Sequence, residues 1–286
     1  MRPLTIAHLS DLHFGGVADL LALEVAAGLV RALAPDAVVV SGDLTLRARH
    51  GELQAARLYV DSLASFAPTL VVPGNHDIQW WRSPLHLLGR QRLSTKWRRW
   101  FGEELTPVLR IPGAVIAGAN SANGLSPGSL TLNPNDMTVK GDLPGAETRR
   151  LAKLFASLPP EVFRVVVVHH NVLRGNISQR MGLSHWRSAQ RRLLTTGADV
   201  VLCGHDHEEA VGQIDGRLPV STASTLSTRA RMQRPVSFNV VRLSTDRVEI
   251  EYFRWDHGPR AFRASDRSVF ARTPRGDAAA RTAAPA

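Results

Sequence analysis

The chain has 286 residues, enough to bury a substantial core in one large α/β domain or two smaller ones. Its hydrophobic content of 44% and charged content of 21% are ordinary for a soluble globular protein. The single cysteine, Cys203, excludes an internal disulfide and suits a reducing compartment. The longest apolar runs are far shorter than the ~18 residues of a transmembrane helix. With no secretory signal before the first predicted strand, a cytoplasmic protein is expected.

The formal net charge of +10 is concentrated in part near the C-terminus, where arginines are scattered among alanines, threonines and prolines. Such a composition offers little to bury, so we expect residues 263–286 to form a disordered basic tail after a folded domain of residues 1–262. The remaining positive charge could steer a phosphate-bearing substrate towards the protein.

Short apolar runs alternate with helical patterns along most of the chain, which predicts βαβ units around a buried sheet. The strands are predicted over residues 4–9, 37–40, 69–72, 115–119, 165–168 and 199–202. The helices are predicted over residues 19–33, 51–65, 147–157 and 186–195, the first with Asp19 as its N-cap. From 210 to 255 the pattern becomes alternating strands, which predicts a second, largely antiparallel sheet.

Aspartate, asparagine and histidine residues, all of which can bind a metal ion, follow the predicted strands. Six of the eleven histidines lie in short segments of this kind. The segments are Asp11-Leu12-His13, Gly42-Asp43, Gly74-Asn75-His76-Asp77, His169-His170 and Gly204-His205-Asp206-His207. Loops at the carboxyl ends of strands meet at one edge of an open α/β sheet, so these side chains are expected to converge. Carboxylates mixed with imidazoles are ligands of divalent transition metals, and there are enough here for two ions.

In this order, the motifs resemble those of the calcineurin-like metallophosphoesterase superfamily, over about Ile6 to His207. The resemblance implies an α/β fold, a four-layer αββα sandwich of two mostly mixed β-sheets flanked by helices, with a binuclear metal centre along one edge. It also implies the ligands: Asp11, His13 and His207 for one ion, Asn75, His169 and His205 for the other, and Asp43 as the bridge. A carboxylate has two oxygens and can span ions ~3.5–4 Å apart.

The same resemblance implies a mechanism. A hydroxide that bridges two divalent ions (manganese, iron, zinc or cobalt) would attack phosphorus in line with the leaving oxygen. His76 resembles the histidine that stabilises or protonates the leaving group, and Asp77 would hold the imidazole of His76 in the required tautomer. Between the two neighbouring histidines, His169 is predicted to be the ligand.

Three further residues are candidates for substrate contact: His170, Arg174 and His185. The first follows the predicted ligand, and the other two belong to a Gly- and Arg-containing loop near the site. His8 and Cys203 are expected to be buried strand residues without a catalytic role.

Residues 78–104 are predicted to form an insertion rich in tryptophan and basic residues that rises beside the metals. An amphipathic cap helix whose aromatics pack on the domain would explain this composition. So would a wall for a nucleotide base or a face for anionic lipid.

Within the superfamily, the chain resembles bacterial proteins of a cyclic-nucleotide phosphodiesterase-like group. Segments 10–15 (Ser-Asp-Leu-His-Phe-Gly) and 41–45 (Ser-Gly-Asp-Leu-Thr) carry it, with 224–229 and 237–239. The predicted substrate is therefore a small phosphate ester, a cyclic nucleotide before others. A DNA-repair-type nuclease, a hydrolase of a nucleotide-linked lipid pyrophosphate and a non-enzymatic scaffold are the alternatives; nucleic acid or a membrane surface is not favoured as a partner.

Overall fold

The computed structural model describes residues 3–78, 93–124, 140–230, 234 and 236–272. Its helices are α1 (Leu20–Leu33), α2 (His50–Ala64), α3 (Thr95–Phe101), α4 (Gly145–Ala156) and α5 (Trp186–Leu194). Its strands are β1 (Leu4–Leu9), β2 (Ala37–Val40), β3 (Thr69–Val71), β4 (Val108–Ile111), β5 (Ala114–Ala119), β6 (Phe163–His170), β7 (Val200–Gly204), β8 (Ala210–Ile214), β9 (Leu218–Thr222), β10 (Ser237–Leu243), β11 (Arg247–Asp256) and β12 (Ala261–Ala271).

These strands form two six-stranded sheets. The first has the order β12-β11-β10-β1-β2-β3 and the second has the order β4-β5-β6-β7-β9-β8. Both sheets are mixed. In the first, β1 pairs in parallel with β2 and antiparallel with β10. In the second, β6 pairs in parallel with β5 and β7, whereas β4 pairs antiparallel with β5 and β8 antiparallel with β9. Residues of β6 and β7 therefore lie at the centre of their sheet, as β1 does in the other.

Three layers of apolar side chains hold the sheets and helices together. Along β2, Val38 and Val40 pack under α1 and α2, whereas Val39 points into the layer between the two sheets. Along β6, Val166 packs under α4 and α5, and Val165 points into the layer between the sheets. Because successive strand residues face opposite sides, a continuous apolar run fits a strand buried on both faces. The four-layer αββα arrangement is confirmed.

The prediction of a separate antiparallel sheet from residues 210–255 is wrong. Strand β10 pairs with β1 from Leu4 opposite Leu243 to His8 opposite Asn239, so β10 to β12 extend the first sheet. Strands β8 and β9 instead extend the second sheet, through the parallel pair of β7 and β9. Local patterns predict that a segment is a strand, but the partner of that strand depends on contacts far away in the sequence.

The prediction that residues 263–286 form a disordered tail is also wrong for its first part, because β12 continues to Ala271. Its side chains are exposed over much of its length, which explains its polar composition, but Phe262 is buried in the core. Arg272 then donates to Asp199, with 2.8 Å between Nε and Oδ1, at 7% and 5% side-chain exposure. Residues 273–286 lie outside the described residues.

The described part of the predicted insertion, residues 93–104, packs on the domain. Trp97 of α3 is 1% exposed and stacks on Phe101 with ring centroids 4.4 Å apart. Lys96 donates to the carbonyl of Ala48, and Arg57 of α2 donates to the carbonyl of Trp100. The interpretation as a helix whose aromatics pack on the domain is confirmed here; Trp80, Trp81 and the rest of residues 79–92 lie outside the described residues.

Two strand residues have the structural positions that were expected of them. His8 is fully buried and its ring nitrogens lie 3.1 Å from Ser221 Oγ and 3.0 Å from Ser41 Oγ. Cys203 is a buried free thiol in β7. Within the described residues, no helix is both long enough and apolar enough to cross a membrane.

Candidate metal centre

All the predicted ligands meet along one edge of the sandwich, where five strands end. Asp11 and His13 follow β1, Asp43 follows β2, and Asn75 follows β3. His169 and His170 are the last two residues of β6, and the His205 and His207 loop follows β7. Since β1 and β6 are central strands in the two sheets, the edge brings both sheets to one site.

A first group consists of Asp11, His13, Asp43 and His207, whose ligand atoms all lie within 4.8 Å of one another. The Nε2 atoms of His13 and His207 are 2.9 Å apart, and His207 Nε2 is 3.2 Å from Asp11 Oδ1. Asp11 Oδ1 is buried and has no hydrogen-bond partner among the described residues. With both Nε2 atoms unprotonated, these lone pairs converge on one point, and a cation there would satisfy all of them at once.

A second group adjoins the first. His169, His170 and His205 have ligand atoms within 4.8 Å of one another. Asn75 joins them through Oδ1, which lies 3.1 Å from His169 Nε2 and 3.0 Å from His205 Nδ1. Three of these four residues are the predicted ligands of the second ion. The fourth, His170, lies in the same group but is not among the predicted ligands.

Asp43 lies between the two groups, as a bridging carboxylate must. Its Oδ2 is 3.9 Å from His13 Nε2 in the first group and 3.4 Å from His169 Nε2 in the second. The tautomer of His169 suits coordination, because Nδ1 lies 2.8 Å from the carbonyl oxygen of Ser41 and donates to it. In the neutral form of His169, Nε2 carries the lone pair on the side of Asp43 and Asn75, where it can bind a cation. These residues fit a centre of two divalent cations.

The electrostatics of the site keep its carboxylates ionised. Burial alone would raise the pKa of Asp43, but the positive charges of His169 and His76 outweigh it and hold that pKa well below its usual range. Burial works against the charged form of His169 as well, yet the charge of Asp43 and their hydrogen bond raise the pKa of His169 to about 9. A bound cation would replace this proton as the partner of Asp43.

Two other imidazoles are held neutral. Burial, reinforced by the charge of His169, lowers the pKa of His205 to about 3. Burial also lowers the pKa of His13. A neutral imidazole is the form that binds a metal.

The backbone of the ligand loops is strained. Five predicted ligands have left-handed φ angles: Asp11 (53°), His13 (49°), Asp43 (50°), His205 (77°) and His207 (55°). Non-glycine residues rarely adopt this conformation, although Asp and His tolerate it better than most. Such strain costs about 1–3 kcal/mol per residue and concentrates at functional sites.

The glycines of the motifs make room for the ligands. A Cβ at Gly74 would overlap the backbone nitrogen and Oδ1 of Asp43, and one at Gly42 would lie 2.5 Å from His169 Nδ1. At Gly204 a Cβ would overlap Ser10 Oγ and lie 2.6 Å from Asp11 Oδ2. In these three segments the glycine is therefore explained by the close approach of another segment.

The prediction that Asp77 holds the imidazole of His76 is wrong. His76 Nδ1 lies 2.7 Å from the carbonyl oxygen of Leu46, which sets the tautomer instead. The fully buried Asp77 carboxylate accepts hydrogen bonds from the backbone of Leu44, Thr45 and Gly74, and from the Thr45 hydroxyl. Burial and the charge of Asp43 raise the pKa of Asp77 to about 6. Asp77 is a positioning residue that joins the loops after β2 and β3.

Several supporting residues had not been predicted. Ser10 Oγ donates to Asp11 Oδ2 over 2.6 Å, and Thr225 Oγ1 donates to the Asp11 carbonyl. Asp206 and Glu208 alternate with the histidines of the last motif but are not in either group of ligands. They are buried and accept hydrogen bonds from residues 177 and 178. Only the sequence position of Ser10, next to a predicted ligand, could have indicated such a role.

The three candidates for substrate contact lie in different surroundings. His170 is 1% exposed and its Nδ1 lies 2.8 Å from Ser121 Oγ, so it is inside the second group of ligands. Arg174 and His185 are exposed. His185 precedes α5 with a left-handed φ of 50°.

Carboxylate and imidazole groups that converge in this way support a metal-dependent phosphoester hydrolase with a two-ion centre. The family model for calcineurin-like phosphoesterases matches residues 4–209, well over half of the chain. The protein belongs to the calcineurin-like phosphoesterase family. No curated protein sequence gives a significant match.

Solved structures share the fold at low sequence identity. A dimetal phosphatase from Danio rerio is 13% identical with a TM-score of 0.61, covering 96% of this chain and 100% of that one. Purple acid phosphatase PPD1 from yellow lupin is 12% identical with a TM-score of 0.66, covering 96% and 54%. GAP50, described as the anchor in the inner membrane complex of Plasmodium, is 12% identical with a TM-score of 0.61, covering 96% and 90%. Such likeness shows the fold alone.

Proposed function

We propose that this protein is a phosphodiesterase with two divalent metal ions, and that cyclic nucleotides are its leading substrate class. The observation that carries the proposal is the convergence of all seven predicted ligands at one edge, with Asp43 between the two groups. The fold also occurs in a protein described as an anchor, so the fold alone does not indicate an enzyme. The proposal therefore rests on the metal ligands. The resemblance to the cyclic-nucleotide phosphodiesterase-like group favours diesters over monoesters.

When bound, two divalent ions supply an activated water and positive charge for the phosphate oxygens. The chain contributes the geometry. Asp43 holds its position because Oδ1 accepts the backbone N–H of His76 over 2.8 Å. The Ser41 carbonyl orients His169, and Ser10 and the backbone N–H of His205 orient Asp11. Each ligand that has such a partner reaches the site already positioned.

His76 is placed to act on the leaving group. Its Nδ1 donates to Leu46, which leaves Nε2 as the atom that can meet a substrate oxygen. The ring lies 5.0 Å from that of His13, beside the first group of ligands. In the imidazolium form, Nε2–H could donate to or protonate the departing oxygen.

The test is hydrolysis of bis-p-nitrophenyl phosphate by the purified protein with manganese, iron, zinc or cobalt. Asp43→Asn should lower the rate by at least ~100-fold, because the bridging charge is lost while the left-handed backbone still suits asparagine. Asp61→Asn is the matched control, since Asp61 is exposed on α2 and pairs with Arg57. Turnover that persists in Asp43→Asn, or no turnover with any of these metals bound, would contradict the proposal.

We also propose a cytoplasmic location. The one cysteine is buried and reduced, and the chain needs no disulfide for its fold. This combination suits a reducing compartment.

A further inference from the structure

A basic pocket lies beside the metal centre. Its volume is about 340 Å³, and its lining includes Lys140, Arg174, Arg180, His185 and Trp186. No acidic side chain is present among the described residues that line it. Three positive charges around one concave surface attract an anion.

The pocket wall adjoins the second group of ligands. Lys140 precedes Gly141, and a Cβ on Gly141 would overlap the imidazole of His170. The backbone of Gly141 accepts from Ser184 N and donates to the carbonyl of Gly182. The two segments of the pocket wall are therefore joined at Gly141, which packs against His170, so Gly141 connects Lys140 of the pocket lining with the second group of ligands.

The loop that carries both arginines of the pocket, Arg174 and Arg180, is held against the last ligand motif by hydrogen bonds. Glu208 accepts the backbone N–H of Ile177 over 2.8 Å, and Asp206 Oδ2 accepts the Ser178 hydroxyl over 2.5 Å. Both acids are buried, at 2% and 3% exposure. Gly175 makes this contact possible, because a Cβ there would overlap both carboxylates. Arg174 and Arg180 are thus held in a set position relative to His205 and His207.

The pairing of Arg174 differs from that of Arg57, Arg150 and Arg242. Arg57, Arg150 and Arg242 each form an ion pair with a carboxylate. In the part of the chain that the structure describes, Arg174 has no such partner. The N-terminus of α5 also opens on the pocket, through Ser184, His185 and Trp186, and adds its partial positive charge.

We propose that this pocket is a subsite for a second phosphate of the substrate, distinct from the phosphate at the metals. The proposal rests on the proposed function and narrows it. A 3′,5′-cyclic mononucleotide has one phosphate and leaves the pocket without a ligand. A cyclic dinucleotide or a 5′-phosphorylated dinucleotide has a second phosphate, which the arginine and lysine groups bind while the diester lies at the metals.

The first experiment measures anion binding by the pocket in the absence of catalysis. Pyrophosphate is titrated calorimetrically into the metal-free full-length protein, its Arg174→Gln variant and Arg191→Gln. Arg191 is an exposed arginine on α5 that does not line the pocket, so its variant is the matched control. We expect Arg174→Gln to weaken binding about tenfold, from the loss of a charged hydrogen bond, and Arg191→Gln to change it less than about twofold. No binding by the wild-type protein would overturn the proposal, whether or not the enzyme hydrolyses phosphodiesters.

The second experiment compares two competitors that differ by one phosphate. The dinucleotides ApA and 5′-phosphorylated ApA compete with bis-p-nitrophenyl phosphate in the manganese-loaded protein. We expect the phosphorylated form to bind about tenfold more tightly, and Arg174→Gln to abolish this preference. Equal binding of the two by the wild-type protein, or a preference that Arg174→Gln leaves unchanged, shows that the pocket does not bind the substrate's second phosphate.

Discussion

Substitution of Gly74 by alanine tests whether close packing of the loops sets the geometry of the metal centre. The φ angle of Gly74 lies outside the left-handed region, so alanine brings no backbone strain there and the cost comes from space. The new Cβ would overlap the Asp43 backbone nitrogen and lie 2.7 Å from Asp43 Cγ. Ordinary contact begins at about 3.4 Å, so Asp43 must move by about 0.7 Å at Cγ and by more than about 1 Å at its nitrogen and Oδ1.

A movement of this size exceeds what a metal centre tolerates. Ligand distances are normally kept within about 0.2 Å of their preferred values. A displacement near 1 Å at a reacting centre costs about 100-fold in rate. We therefore expect Gly74→Ala to lower kcat/KM for bis-p-nitrophenyl phosphate by about 100-fold and to weaken manganese binding. Overpacking should also reduce the free energy of unfolding by about 1–3 kcal/mol.

Gly28→Ala is the control for this experiment. Gly28 lies in α1, and a Cβ there would meet nothing within 4 Å. Because alanine is a better helix former, this variant should keep full activity and gain up to about 1 kcal/mol of stability. Manganese affinity is measured by calorimetry, turnover by nitrophenolate release and stability by urea denaturation. If Gly74→Ala keeps manganese affinity and turnover within threefold of wild type, the packing argument is refuted.

Three further predictions concern buried groups. Burial lowers the pKa of His8 to about 3, so between that value and pH 6.5 the unfolded chain binds a proton that the folded chain does not. The metal-free protein should lose about 1.4 kcal/mol per pH unit from this residue as pH falls from 6.5, and urea denaturation of His8→Gln should show a shallower loss. Burial raises the pKa of the Cys203 thiol to about 11, so the native protein should not react with Ellman's reagent at pH 8, whereas the urea-unfolded chain should release one equivalent. Asp77→Asn should weaken manganese binding about 10- to 100-fold in calorimetry, because the loops after β2 and β3 lose a shared acceptor; unchanged affinity with reduced kcat would point back to an imidazole partner.

Features that depend on local sequence could be predicted. The N-cap of α1 is an example: Asp19 accepts the N–H of Ala22, as its position before a helical pattern indicated. The ligands could be predicted for a similar reason, because each follows a strand end and parallel strands bring their carboxyl ends to one edge. Neither inference required knowledge of which strands are neighbours in space.

Other features depend on contacts that leave no local trace. Asp77 beside His76 is typical of an imidazole partner, but its carboxylate accepts from backbone amides instead, and any residue can supply those. Strand β12 has the composition of a tail because most of its side chains face solvent and only Phe262 is buried. The basic pocket is built from residues near 140, 174–180 and 185, and no single segment shows that they converge.

The pairing of β1 with β10 has a consequence for how the protein folds during its synthesis. Leu4 pairs with Leu243, which lies 239 residues later in the chain. At about 5–20 residues per second, the first strand waits roughly 12–50 seconds for its partner. Throughout that interval Asp11 and His13 follow a strand with one unpaired edge, and such an edge exposes a nascent chain to aggregation. Metal binding should therefore follow the synthesis of β10, long after the first two ligands have left the ribosome.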